Sequence, residues 1–242
     1  MELNDPNHRH GYFEVDEIDG WWNPPSWRNT DEARALNHGD MSSESFLEAR
    51  YITIRGAFAA KARNDRWEGA NIIAALLASG ARRLVVRADS QILWADVKAV
   101  DQASAVWVAP LLMEYTLQLK ANDPFRYGEA HSYDLASGSE ISVFHFGTTE
   151  AWPVVTVMGS MPDGYTLSYR SQTVSVPMGI PSGVTHRIDF KNRRLYVNGE
   201  VFFGAFGSTG FRPVPSGPRT AFGLSCPSGS GTAVVSVTDT YI

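Results

Sequence analysis

The feature that most constrains this chain is a hairpin signal at residues 194–203. Asn198 and Gly199 form an Asn-Gly pair with β-forming residues on both sides. Both residues tolerate the positive φ that the two central positions of a type I′ turn require. Because this pattern is the strongest short-range hairpin signal that a sequence offers, it predicts antiparallel strands in the last third of the chain.

Short segments of alternating polar and apolar residues surround this hairpin. In residues 165–170, for example, Tyr165, Leu167 and Tyr169 share one phase. Short strands of this kind, separated by turn residues, predict a two-sheet sandwich or jelly roll. Besides the hairpin, the predicted strands are residues 141–146, 154–158, 165–170, 172–176, 186–190, 221–224 and 233–237.

The preceding part of the chain is predicted to be strands with one helix. Asp65 is the expected helix cap, Glu68 completes a capping-box pattern, and Gly80 ends the helix. Its apolar stripe, expected to pack on a sheet, is Ile72, Ile73, Leu76 and Leu77. The predicted strands are residues 49–59, 83–87, 91–100 and 105–120, with antiparallel pairing expected between the last two.

Pro110 interrupts residues 105–120, where a bulge or an edge position is expected because proline donates no ladder hydrogen bond.

The first forty residues look irregular apart from a short edge strand at 11–16. Within them Trp21, Trp22 and Trp27 are expected to be exposed on a loop. A loop of this length is typical of a functional segment or one that reaches a partner.

A punctuating segment at residues 122–128 predicts a domain boundary. The predicted domains are 1–128 and 129–242. The expected fold class is mainly β, with a split β-barrel or sandwich carrying one α-helix first and a β-sandwich second. The chain has 242 residues, which is long enough for two such domains.

Composition excludes several classes of function. A net charge of -5 gives no general nucleic-acid footprint. The single cysteine, Cys226, excludes an internal disulfide and is expected to be a buried small hydrophobe. No apolar stretch is long enough to span a bilayer, and no signal peptide is expected. We therefore expect synthesis in the cytoplasm, where the protein stays or joins a particle, without membrane insertion.

Catalytic and metal-binding patterns were sought and none is convincing. His8 and His10 have no third ligand nearby in sequence, and His131, His145 and His186 are expected to be structural. Phosphate loops and nucleophile motifs are absent from the sequence. We therefore expect no catalytic residues, no metal site and no cofactor.

Sugar binding by the second domain is the open alternative. A sandwich with aromatic loops can stack on the apolar faces of sugar rings, and Trp152, Tyr165 and Tyr169 are possible platforms. Tyr165 and Tyr169 share the phase of Leu167, however, so a core position is favoured for both.

Three segments together resemble the distal tail proteins of long-tailed, siphovirus-like bacteriophages. They are the loop around Gly39 with residues 50–56, residues 121–128, and residues 147–159 followed by 188–199. Their order and spacing match, and the resemblance covers most of residues 38–242.

The resemblance implies a structural virion protein at the tail tip. Its first domain would be tail-tube-like and form a ring, usually a hexamer, and its second would be galectin-like. Implied partners are further copies of the chain, the tail tube protein, the tail-tip hub protein, the tape measure protein, and receptor-binding or side-fibre proteins. DNA would pass only in transit through the lumen. The family has no catalytic residues to carry over.

Ring contacts of this kind need an interface on the first domain. The long strand 105–120 and the aromatic N-terminal loop are candidates for it. The candidate interface residues are Trp21, Trp22, Trp27, Arg50, Tyr51, Arg126 and Tyr127. The sequence has no large insertion in the second domain, so partner contacts there are expected in loops 178–183 and 204–217.

Overall fold

The computed structural model describes the chain except residues 1, 2, 6, 35, 39, 42, 79 and 102. The side chains of Ala33, Asp40 and Leu77 also lie outside the description. The chain forms two compact units: Met1–Val86 with Trp94–Phe125 and Ile242, and Arg87–Leu93 with Arg126–Tyr241. The predicted domains, 1–128 and 129–242, remain a prediction.

The first unit is built on an antiparallel sheet. Its strands are β1 Gly11–Asp19, β2 Trp27–Arg28, β3 Glu32–Ala33, β4 Asp40–Met41, β5 Phe46–Leu47, β6 Arg50–Ala60, β7 Arg82–Ala88, β8 Gln91–Ala99, β9 Ser104–Ala109 and β10 Leu112–Ala121. Strand β6 lies between β1 and β10, and the other edge of β10 pairs with β9 and with the end of β8. Strand β7 pairs with β8, and the tip of this hairpin belongs to the second unit. The short pairs β2–β5 and β3–β4 lie outside this sheet.

The inner face of this sheet packs against the helix. Register places Phe13 beside Phe58 and Phe58 beside Met113, and all three are buried. Helix α1, Arg66–Ala78, crosses this face with Ile73 buried and with Gly69 so close that a Cβ there would overlap the Phe58 ring. In the part of the chain that the structure describes this is the single α-helix, which agrees with the predicted class.

The helix begins directly after its predicted cap residue, Asp65. A 3₁₀ turn, Arg63–Asp65, precedes α1. The Asp65 carboxylate lies 3.0 Å from Nδ1 of His10, so it also holds the N-terminal segment. At the other end Gly80 has a φ of 73°, as expected of a glycine that follows a helix. The stripe residues Ile72 and Leu76 are half-buried, while Leu77 lies outside the described side chains.

The predicted strand 105–120 is wrong, because the chain reverses direction inside it. Strands β9 and β10 are antiparallel, and Leu112 pairs with Ala109 across a turn at Pro110 and Leu111. Proline fixes φ near the value that the first central position of a turn requires, so Pro110 ends β9. The expected irregularity is also present, because the β9–β10 register shifts between Leu112 and Met113 and β9 lies at a sheet edge. The main sheet partner of β10 is therefore β6, whereas β8 contacts only its last residues.

The second unit is a sandwich of two antiparallel sheets. Its strands are β11 Arg126–Ala136, β12 Glu140–Val143, β13 Val154–Ser160, β14 Tyr165–Tyr169, β15 Gln172–Val176, β16 Thr185–Asp189, β17 Arg194–Val197, β18 Glu200–Phe202, β19 Ser208–Thr209, β20 Thr220–Ser225 and β21 Ser230–Tyr241. One sheet has the order β11-β21-β13-β16-β17-β18, and the other has β12-β20-β14-β15-β19. The predicted sandwich is present, but β11 was missed.

The two inner faces enclose a continuous core. Tyr169 stacks on Phe222 with ring centroids 4.6 Å apart, and both side chains are buried. Tyr165 and Leu167 lie in the same core, as their phase predicted. The predicted turn is also confirmed, since Asn198 and Gly199 have φ values of 50° and 93° between β17 and β18.

Candidate assembly surfaces

A buried arginine fixes the aromatic N-terminal loop. Arg50 begins β6, and its Nη1 donates to the carbonyl oxygens of Gly20, Trp21 and Asn23 at 2.9, 3.0 and 2.6 Å. Its Nε donates to the carbonyl of Pro124 at 3.0 Å. Because one guanidinium offers five donors in a rigid fork, it can hold several backbone carbonyls in one geometry. The loop is therefore anchored to the sheet.

This anchoring buries several of the predicted interface residues within their own unit, while their role in an interface stays a prediction. Trp21 is 0% exposed, so its predicted exposure is wrong; the loop turns this ring inward while Arg50 binds its carbonyl. Arg50 and Arg126 are also buried, and the pKa of Arg126 is lowered because burial disfavours its charge. Tyr127 is half-buried, and its hydroxyl lies 3.2 Å from Nζ of Lys191.

Three predicted interface residues do face solvent. Trp22, Trp27 and Tyr51 are each about half exposed. Trp27 lies in β2, where Arg28 pairs with Phe46 of β5, and Phe46 is exposed as well.

The loop that carries β3 and β4 is held by local hydrogen bonds. The carboxylate of Asp31 accepts from the backbone N–H and the hydroxyl of Ser43, at 2.8 and 3.0 Å. These bonds stabilise the charged form and lower the pKa of Asp31. Gly39, which the resemblance places in this loop, is itself outside the described residues.

The outward face of α1 carries little charge. Trp67 is 67% exposed, and it shares this face with Asn71, Ala74 and Ala78, which are exposed too. A solvated helix normally presents charged residues on this side, whereas a helix that is apolar all round is normally buried. The uninterrupted alanines at helical spacing are the sequence signal that could have revealed this surface.

Strand β9 forms an exposed apolar edge beside the start of the helix. Val106 and Val108 are about half exposed, and residues 104–109 carry no charge. The guanidinium of Arg66 lies 4.6 Å from the ring centroid of Trp107, which links the helix to this strand. Native proteins usually protect an edge strand with charge or proline, so this edge is suited to pairing with a partner.

The second unit presents a different surface, a row of aromatic rings. Phe146 is 66% exposed and lies edge-on to Phe144 and His131, each 5.3 Å away. The carboxylate of buried Asp239 accepts from the backbone N–H of Phe146 at 2.7 Å and lies 3.1 Å from His131. Because one buried carboxylate holds both neighbours, the exposed ring is rigidly placed.

The remaining titratable side chains of the second unit are part of its packing. His186 is buried 3.3 Å from the hydroxyl of Tyr165. Burial lowers the pKa of His186 and raises the pKa of Tyr165, so both are held neutral. Among the described residues, no group of three or more His, Cys, Asp or Glu side chains could hold a metal ion.

The structure changes two further expectations for the second unit, the full burial of Cys226 and the character of its two loops. Cys226 is half-buried against the core instead of fully buried. The two loops predicted to contact partners are pinned at points along their length, because Ile180 bridges to Met161 and Val214 bridges to Ala151. No described helix has the length and apolarity that crossing a bilayer requires.

Comparison with solved structures identifies the fold. The SPP1 Dit protein, described as a paradigm of the hub adsorption apparatus in phages that infect Gram-positive bacteria, matches with a TM-score of 0.72. The match covers 96% of this chain and 94% of that one at 15% sequence identity. The chain has the fold of a phage distal tail protein. The resemblance of the three sequence segments is confirmed at the level of fold.

Components of a phage baseplate share this fold more distantly. Two structures of the phage P2 baseplate in its activated conformation, with Ca and with Sr, match with TM-scores of 0.52 and 0.53 at 6% identity. They cover 94% and 92% of this chain, and each match covers 90% of the baseplate chain. No protein-family model and no curated protein sequence matches the chain.

Proposed function

We propose that this chain is a structural virion protein of a phage tail tip. Copies of it form a closed ring that joins the tail tube to the tail-tip hub. The observation that carries this proposal is the SPP1 Dit fold extending over 96% of the chain. SPP1 Dit is described as a hub adsorption protein, and the role proposed here is of that kind.

The surface of the first unit supports a role in assembly. Trp27, Trp67, Val106 and Val108 are apolar and exposed on a unit that also buries a core of its own. Exposed apolar side chains that lie together are typical of protein interfaces. A ring requires two different surfaces on each copy that fit one another, so that rotation closes the assembly.

The second unit is proposed to carry the peripheral partners. It is a sandwich with the exposed ring of Phe146 beside half-buried Phe144 and His131, and Asp239 holds Phe146 and His131 as a docking surface. Receptor-binding or side-fibre proteins are the proposed partners, and the hub, tube and tape measure proteins are proposed to contact the ring. The role is structural, without catalysis.

Tail incorporation tests this function. Particles of the phage that encodes the chain are purified and their tails are analysed by mass spectrometry and by electron microscopy with a specific antibody. We expect the chain at the tip. A nonsense mutation in its gene should give tails that lack a normal tip and do not infect. Infectious particles without the chain would contradict the proposal.

Carbohydrate binding is the second candidate, favoured by exposed Phe146. Of the platforms considered from sequence, Tyr165 and Tyr169 are buried and Trp152 is half-buried. Binding of host cell-wall saccharides is measured by titration calorimetry with the Phe146→Ala and Phe203→Ala variants, since both rings are exposed. Loss of binding in the first variant alone would support this candidate, whereas no binding by the natural chain would remove it.

A further inference from the structure

A short segment of the second unit presents two aromatic rings and a guanidinium on one continuous surface. The ring centroids of Phe144 and Phe146 are 5.3 Å apart, while His145 between them is buried. The guanidinium of Arg219, an exposed residue, lies 4.6 Å from the ring centroid of Phe144. Arg219 is therefore separated from the Phe146 ring by no more than the sum of these two distances. We call Phe144, Phe146 and Arg219 the Phe146 site.

Hydrogen bonds on the inner side hold this segment in place. Nδ1 of His145 accepts from the backbone N–H of Gly147 at 3.1 Å, and its Nε2 lies 3.3 Å from the carbonyl oxygen of Val214. The backbone N–H of Phe146 donates to the carboxylate of Asp239 at 2.7 Å. Because the backbone is fixed at both positions, the exposed ring is placed in advance of any contact, which reduces the entropy that binding would cost.

The polar groups that surround the rings are already used within the unit. The hydroxyl of Tyr133 donates to the carbonyl of Phe144 at 2.7 Å, and the hydroxyl of Ser216 donates to the carbonyl of Gly147 at 2.6 Å. Arg219 differs, because among the described residues no carboxylate lies within ion-pair distance of it. The site therefore offers aromatic area and one guanidinium.

This combination selects the chemistry of the occupant. A saccharide carries many hydroxyl groups, and each one that loses water needs a new hydrogen-bond partner. An apolar side chain needs only the face or edge of a ring, and a carboxylate can accept two parallel hydrogen bonds from one guanidinium. In an extended peptide, side chains two positions apart point to the same side and are separated by about 7 Å. Such a pair can reach both Phe146 and Arg219.

We propose that the Phe146 site binds an extended segment of a partner protein that carries an apolar side chain and, two positions away, a carboxylate. The apolar side chain packs on Phe146 and the carboxylate pairs with Arg219. This inference rests on the proposed docking role of the second unit and adds the chemistry by which a docked protein is recognised. The segment is acidic at the contact because the site presents a positive guanidinium.

Peptide titration tests the carboxylate. The probe is the acetylated and amidated peptide Ser-Thr-Trp-Thr-Glu-Thr-Ser, and the reference peptide has Gln in place of Glu. Saturation-transfer difference NMR on the full chain measures both affinities, and it remains usable if the chain assembles. We expect the natural chain to bind the acidic peptide about threefold more tightly, as is typical of an exposed ion pair.

Two arginine variants show whether Arg219 is the source of this preference. Arg219→Gln should bind the two peptides equally, because it lacks the charge that the carboxylate would pair with. Arg187→Gln is the matched control, since Arg187 is also exposed on the second unit and lies 5.0 Å from the ring centroid of Tyr196. The control variant should keep the preference of the natural chain.

A ring variant tests the apolar half of the site. Phe146→Ala should weaken the binding of both peptides about fivefold or more, because the tryptophan of the probe loses its aromatic neighbour. Phe203→Ala is the matched control, since its ring is 81% exposed in the same unit. Because Phe146 and Arg219 are exposed, both site variants should fold, and circular dichroism checks this.

The outcomes separate this inference from the proposed function. No saturable binding of the acidic peptide, a preference that survives Arg219→Gln, or equal effects of Phe146→Ala and Phe203→Ala would each overturn it. Glucuronic acid is the third probe, and binding of this acid through Arg219 without binding of the peptides would overturn it in favour of an acidic saccharide. A chain that is present at the tail tip but binds no peptide keeps its structural role. Peptide binding by a chain that is absent from tails would overturn the structural role alone.

Discussion

The two units of this chain differ in how many large apolar side chains they leave exposed. Of the large hydrophobic side chains that are exposed in the described residues, thirteen lie in the first unit and six in the second. The second unit instead encloses its apolar residues between two sheets, with Phe222, Val235 and Ile188 fully buried. A sandwich can close over its own core, whereas a sheet covered by one helix leaves much of its surface open.

The proposed assembly role predicts this contrast, because it requires exposed apolar side chains on the first unit. Burial of apolar area is the main favourable contribution both to folding and to association. In the second unit that contribution stabilises the monomer. Under the proposed role, part of it in the first unit becomes available only when Trp67, Val106 and Trp27 meet a partner. The following predictions test that division.

The largest effect is expected from the core of the second unit. Phe222→Ala removes a fully buried ring that stacks on Tyr169, and it should lower the free energy of unfolding by about 3–5 kcal/mol because it leaves a cavity. Chemical denaturation measures the change. Phe203→Ala is the matched control, since that ring is 81% exposed. Equal losses in both variants would contradict the proposed division.

The buried arginine of the first unit is expected to follow. Arg50→Met leaves the carbonyls of Gly20, Trp21 and Asn23 without their donor and should cost about 3 kcal/mol. Denaturation followed by tryptophan fluorescence reports this change, because Trp21 lies in the loop. Arg55→Met is the control, because Arg55 is exposed and pairs with Glu17. An unchanged denaturation midpoint for Arg50→Met would show that the hydrogen bonds of Arg50 contribute little to stability.

A smaller effect is expected at the hairpin. Gly199 has a φ of 93° and open space around its Cα, so Gly199→Ala should cost about 1 kcal/mol for backbone conformation alone. Glu200→Ala, one residue later, is the control. The loss is read from thermal unfolding of the second unit, and an increase in stability would exclude the type I′ turn.

The pH dependence of the second unit gives a subtler test. Burial lowers the pKa of His186 below its ordinary value of 6.5, so the folded chain holds it neutral while the unfolded chain takes up a proton near pH 6.5. Stability should therefore fall as the pH drops below about 6.5. His186→Gln cannot titrate and should flatten this dependence in urea denaturation between pH 7.5 and 5. Equal slopes of stability against pH in the natural chain and in the His186→Gln variant would contradict this prediction.

The smallest effect on the monomer is expected at Trp67, on the outward face of α1. Trp67→Gln should change the free energy of unfolding by less than about 0.5 kcal/mol, because the ring is largely exposed. The measurement is made at a concentration where the chain is monomeric. A loss of several kcal/mol would mean that Trp67 stabilises its own unit.

The sequence revealed those elements whose signals are local. The turn at Asn198 and Gly199, the alternation of β6 and the phase of Tyr165 all depend on residues within a few positions of one another. Strand β11 was missed because Gly128, Ala130 and Ser132 dilute its alternation. Its pairing with β21, about a hundred residues away, stabilises it instead.

The candidate surfaces were predicted less completely because burial depends on tertiary contacts. Trp21 and Trp22 are neighbours of identical type, and nothing local shows that the first is buried while the second is half exposed. Arg50 was expected at a surface, but carbonyls distant in sequence satisfy its donors. Pro110 was recognised as a break, yet the break could equally produce a bulge or a reversal.

The placement of β21 has a consequence for synthesis on the ribosome. Residues 230–241 form a strand between β11 and β13, so the larger sheet of the second unit lacks an inner strand until they emerge. The first unit can begin to fold while the second is still being translated. A nascent chain halted before Ser230 would expose the unpaired edges of β11 and β13 and become a substrate for chaperones.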